Sequence, residues 1–193
     1  MLVPQMIRHL QNMTGVDPMT IDVADKKVIS LFTSTEALNM AICGLLDPGD
    51  HVIAEWPTYA PLYEIPRTLG AEVEYWELRE ELGWKPDIEE LGRLVRPNTK
   101  LICINNASNP IGTVLDADTL GQIAEIARSV GAYVLCDEVY RHLTQRDEWC
   151  DSIVDIYEKG ISVGSMSKVF SLAGLRLGWI AAHDSELLKS CVS

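Results

Sequence analysis

The chain has 193 residues, enough for one substantial domain with its own core and too few for two large ones. Apolar residues make up 47% and charged residues 23%, ordinary globular usage that excludes a disordered or fibrous architecture. The formal net charge of -12 argues against nucleic acid or an anionic membrane surface as partner, and no window approaches the ~18 uninterrupted apolar residues of a membrane span.

Cys43, Cys103, Cys136, Cys150 and Cys191 are an odd set at irregular separations, with no C-x-x-C pair and no histidine at ligand spacing, so they read as reduced thiols. His9, His51, His142 and His183 are scattered and suggest neither a metal site nor a triad. The stretch Met1 to Leu10 lacks the apolar segment of a secretory signal. A cytoplasmic protein without a metal is the expectation.

In chain order, Thr35 to Ile42 reads as a helix with hydroxyls at its start, closed by Asp47-Pro48-Gly49-Asp50. His51 to Ala54 reads as a short buried strand. A helical stretch from Pro61 to Leu69 stops at Gly70, a strand follows over Glu72 to Trp76, and Asp87 with Glu90 opens a helix over Ile88 to Val95. Lys100 to Asn105 is an apolar run of strand length, ended by the turn residues Asn109-Pro110-Ile111-Gly112. Asp116 and Asp118 open a helix that carries Leu120, Ile123, Ile126 and Ala127 and stops at Gly131. Ala132 to Asp137 is another buried strand with an acid at its end, and Gly160 to Gly164 and Gly178 to Ala182 are two more. Alternating strands and helices predict an α/β domain with a mostly parallel central sheet and helices on both faces. Polar residues gather just after the strand ends, where open α/β sheets hold ligands.

Lys168 stands in the run Ser165-Met166-Ser167-Lys168, with Arg176 downstream and Asp137 and Tyr140 upstream. A cofactor that forms an imine needs an amine, its pyridine nitrogen needs an acid, its phenolic oxygen needs hydrogen-bond partners, and its phosphate needs hydroxyls and a cation. Each role has a candidate here, so together these residues look like a pyridoxal phosphate site. The run is not a P-loop, because no glycine precedes Lys168 and Val169 follows it; a G-x-G-x-x-G fingerprint is also missing.

Five segments carry a resemblance: Thr33-Ser34-Thr35-Glu36-Ala37-Leu38, Pro57-Thr58-Tyr59, Asn105 through Gly112, Cys136 through Arg141, and Ser165 through Lys168 continuing to Arg176-Leu177-Gly178-Trp179. In this order, from about residue 30 to 182, the chain resembles the class I/II aminotransferases, the fold type I pyridoxal phosphate enzymes. The resemblance implies that Lys168 holds the cofactor as an internal aldimine and then shuttles the α-proton, and that Asp137 keeps the pyridine nitrogen protonated. It implies that Tyr140 and Asn109 bond the phenolic oxygen and that Tyr59 stacks on the ring. Ser34, Thr35, Ser165, Ser167 and Arg176 fall to the phosphate. Thr33 occupies a place where many relatives carry glycine. Trp56 and Trp76 read as packing residues.

The whole chain, 1–193, is then expected to be the large cofactor domain, shorter than the family at both ends and without the small domain that carries the arginine for the substrate's α-carboxylate. The implied reaction moves an amino group from an amino acid to a 2-oxo acid, with a homodimer as the full-length form. A carbon-sulfur lyase of the same fold would use the same lysine and aspartate, since specificity lies outside this sequence, and a truncated non-catalytic domain that folds or binds a partner without turnover is the third reading.

Overall fold

The computed structural model describes residues 21–23, 26–31, 33–143 and 151–191; Cys150 and His9 lie outside them. An eight-stranded sheet forms the centre. Its strands are β1 (Ile21–Val23), β2 (Lys26–Leu31), β3 (His51–Trp56), β4 (Glu72–Glu77), β5 (Thr99–Asn105), β6 (Tyr133–Asp137), β7 (Gly160–Ser165) and β8 (Gly178–Ala182), in the order β1-β2-β8-β7-β6-β5-β3-β4. From β4 across to β7 every neighbouring pair is parallel, whereas β8 runs antiparallel to β7 and β2, and β1 antiparallel to β2. The helices are α1 (Ser34–Cys43), α2 (Pro61–Thr68), α3 (Ile88–Leu94), α4 (Ala117–Val130), α5 (Ile153–Ile156) and α6 (Ser185–Ser190).

Strand periodicity builds two cores from one sheet. Along β5, Leu101 and Cys103 face one way and join α1, α2 and α6 through Leu38, Ile42, Leu62 and Leu187. Ile102 and Ile104 face the other way and join α3, α4 and α5 through Leu91, Leu120, Ile123 and Ile153. Each fully buried aliphatic side chain contributes on the order of 1.5–3 kcal/mol. Helices therefore cover both faces, and the expected fold class is borne out. Trp76 is fully buried and donates its indole N–H to the carbonyl of Asp87 at 2.9 Å, while Trp56 is partly exposed against Tyr63 and Tyr75.

The helix boundaries follow their caps. Thr33 Oγ1 accepts from the Glu36 amide, Asp87 from that of Glu90 and Asp116 from that of Thr119, while Gly131 at φ 74° closes α4 in the left-handed region that favours glycine. β3 runs two residues beyond the expected Ala54, because Glu55 and Trp56 stay paired with Trp76 and Glu77 of β4, and the buried carboxyl of Glu55 finds a partner in the Asn105 amide. β1, β2, α5 and α6 were not legible from periodicity: the first pair and α5 are short or charge-interrupted, and α6 is six residues long.

Candidate functional site

The carboxyl ends of β5, β6 and β7 surround a cavity of about 310 Å³, within the ~300–1,000 Å³ typical of small-molecule sites. Its lining includes Ser34, Thr35, Tyr59, Asn109, Asp137, Tyr140, Ser165, Ser167, Lys168 and Arg176. All ten residues singled out in the sequence meet around this one space. Thr33, Asn105, Val139, Ala173 and Leu177 complete it.

Chain reversal brings these residues together. β7 and β8 are antiparallel neighbours, so the segment 166–177 leaves and returns at the same sheet edge, and the Met166 amide closes its base on the Leu177 carbonyl at 3.0 Å. Lys168 rides on this loop, with Nζ 5.6 Å from the centre of the Tyr140 ring. Ser165 and Ser167 share a hydroxyl-hydroxyl hydrogen bond of 2.6 Å, and Arg176 donates to the Ala173 carbonyl at 3.0 Å. The α1 N-terminus reaches the cavity because Gly178 lets it: a Cβ there would lie 2.7 Å from the Thr33 carbonyl carbon and 2.9 Å from the Ser34 nitrogen. First-turn amides of a helix, together with the hydroxyls and the guanidinium, are groups able to receive an anion.

Asp137 ends β6 with 2% exposure and accepts from the Val139 amide at 3.1 Å. Burial pushes its carboxyl up to about 7; the Val139 amide and the positive Lys168 oppose that rise, and Glu138 adds to it. Asp137 forms no ion pair among the described residues. Its neighbour Glu138 is held differently: Ser162 donates to its carboxylate at 2.7 Å, Ser152 at 2.8 Å and the Ile153 amide at 3.0 Å. Glu138 thereby pins β7 and the start of α5 to the end of β6.

On the β5 side, Asn105 donates from Nδ2 to the Asp137 carbonyl at 2.8 Å and accepts the Asn109 amide at 2.6 Å. Asn106 bonds the amide and the carbonyl of Leu115, both at 3.0 Å, and so closes the loop that presents Asn109. Tyr59 follows β3, and its hydroxyl lies 3.2 Å from Thr35 Oγ1. Asn105 and Val139 are lining residues that the sequence reading passed over; for Asn105 the signal was its place at the end of an apolar strand. Chemically, the cavity offers one amine, one buried acid, two phenols, two carboxamides, and hydroxyls beside a guanidinium that can receive an anion.

The family model for aminotransferase class I and II matches residues 6–192. The chain belongs to that family. Tyrosine aminotransferase of Dictyostelium discoideum is 33% identical over 178 residues, which cover 91% of this chain and 42% of that protein. Aspartate aminotransferase of Sulfolobus acidocaldarius is 31% identical over 172 residues, 87% of this chain and 43% of that one. Among solved structures, a PLP-dependent aminotransferase from Streptococcus suis superposes with a TM-score of 0.82 at 44% identity, covering 98% of this chain and 48% of the other. This aminotransferase-family chain thus spans about half the length of the relatives it matches. Among the described residues, no cluster of acids, cysteines and histidines could hold a metal, and no helix is long and apolar enough to cross a membrane.

Proposed function

We propose that residues 1–193 form the cofactor domain of a pyridoxal phosphate-dependent aminotransferase that moves an amino group from an amino acid to a 2-oxo acid. The observation that carries this reading is the meeting of Lys168, Asp137, Asn109, Tyr140 and the anion receptor around one cavity. The donor set fits the cofactor. A buried carboxyl with no ion pair among the described residues and a pKa raised to about 7 suits the protonated nitrogen of a pyridine ring, and the hydroxyls with Arg176 suit a phosphate.

Pyridoxal phosphate, when bound, supplies an aldehyde for covalent attachment and a ring that withdraws electrons from the substrate's α-carbon. Lys168 Nζ would be its attachment point and the group that takes up and returns the substrate's α-proton. Asp137 would keep the ring nitrogen protonated, a charge partner for a buried carboxyl that forms no ion pair among the described residues. Tyr140 and Asn109 would bond the phenolic oxygen, Tyr59 would offer a flat face to the ring, and Ser34, Thr35, Ser165, Ser167 and Arg176 would hold the phosphate. The proposal includes a homodimer acting on small amino and oxo acids and a cytoplasmic setting, the latter in keeping with free Cys43, Cys103, Cys136 and Cys191.

The test is titration of the protein with pyridoxal phosphate, read by visible absorbance, followed by an amino acid with and without a 2-oxo acid acceptor. Saturable uptake with transfer that needs the acceptor is expected of a form extended to the length of its relatives. Release of ammonia without an acceptor would instead make the enzyme a lyase.

A further inference from the structure

We propose that Glu55 is a positioning residue of this site, acting through Asn105 on both Asn109 and the end of β6. The inference rests on the reading of the cavity as a cofactor site. Glu55 lies outside the cavity lining, yet it is a carboxyl buried to 1% exposure in a sheet whose preceding residues on β3 are mostly apolar. A buried acid is costly, so its partner is informative.

The pairing of β3 with β5 stops at Ala54 opposite Cys103, whereas β5 stays paired with β6 as far as Asn105 opposite Asp137. Beyond Ala54, the Asn105 amide N–H faces the β3 side with no strand carbonyl to take it. Glu55 Oε2 takes it instead, at 2.9 Å. All of Asn105's hydrogen-bonding groups named so far are then engaged: its amide to β3, its Nδ2 to the Asp137 carbonyl at 2.8 Å, and its Oδ1 to the Asn109 amide at 2.6 Å. Asn105 is itself fully buried. One carboxylate oxygen therefore fixes the residue from which the Asn109 turn and the strand end bearing Asp137 both hang. Burial also raises the Glu55 carboxyl to about 7, with the Asn105 amide opposing the rise.

What this role requires is an acceptor at the right reach, not a charge. Glu55→Gln keeps reach and an accepting oxygen; Glu55→Asp keeps the charge but is one methylene shorter. Amide hydrogen exchange at Asn105 and Asn109 in the cofactor-free protein, and pyridoxal phosphate affinity with the pH midpoint of its visible spectrum, are the readouts. Glu55→Asp is expected to speed exchange at both amides by roughly tenfold to a hundredfold, to weaken cofactor binding by about tenfold and to shift the spectral midpoint, while Glu55→Gln stays within about threefold of the parent. Parental exchange and affinity in Glu55→Asp would overturn the proposal, as would a Glu55→Gln protein as impaired as Glu55→Asp. If Glu55→Asp does not fold, Asn105→Ala, which keeps the backbone amide, reads the Glu55 bond: exchange at residue 105 that stays slow while that at Asn109 speeds supports it, and loss of protection at 105 or parental exchange at Asn109 overturns it. A parent protein that takes up no pyridoxal phosphate would refute the site reading, and the exchange rates would still decide the role of Glu55.

Discussion

Asp137 turns a residue-scale property into a measurable pH dependence. Its carboxyl has an ordinary value of 3.8 and rises to about 7 in the fold, chiefly through burial. Between those values the folded chain keeps a proton that the unfolded chain has released, so this group's contribution to stability is lost as pH rises through that window. Asparagine at this position does not titrate. The cofactor-free Asp137→Asn protein is therefore expected to gain on its parent by roughly 2–3 kcal/mol between about pH 5 and about pH 8, measured by urea denaturation at each pH. An offset that does not change with pH would show that the Asp137 carboxyl is ionised normally. Lys168, Asp137, Tyr140 and Arg176 were legible in the sequence because each is a residue type that the chemistry demands, in a recognisable order. Glu55 was not, since its partner lies 50 residues away and the contact depends on strand register.

At the scale of elements, caps and turn residues carried most of the legible information. Asp87, Asp116 and Gly131 marked helix ends that the structure reproduces within a residue. Close backbone approaches were not legible, and Gly178 is the clearest case. Gly178→Ala sets a methyl group against the Thr33–Ser34 backbone, where no side chain can swing aside, so α1 must withdraw from the cavity. A loss of about 1–3 kcal/mol in urea denaturation is expected, together with weaker pyridoxal phosphate binding. Asp116→Ala is the contrasting case: it removes the α4 cap, away from the cavity lining, and is expected to cost about 1 kcal/mol with cofactor affinity unchanged. Equal loss of affinity in both variants would mean that stability alone governs binding.

At the scale of the whole molecule, exposed apolar side chains gather beside the cavity. Val114 and Leu143 line a groove that shares Asn109 and Tyr140 with it, and Phe170, Leu172 and Leu175 stand on the lysine loop. Surfaces of this kind promote association. Sedimentation velocity over a hundredfold range of protein concentration is expected to show a rising average mass, and a constant monomer mass throughout would contradict it. The family was legible from the order of five short segments and the α/β layering from the alternation of strands and helices; the sheet's antiparallel margin was not, because β2 owes its place to pairing with β8, and β1 to pairing with β2.

The most direct measurement of the central claim is the site of covalent attachment. The protein is loaded with pyridoxal phosphate, reduced with borohydride, digested and mapped by mass spectrometry. A single stoichiometric label on Lys168, lost in Lys168→Ala, is the expected result. A label on another lysine, or none despite saturable binding, would contradict it.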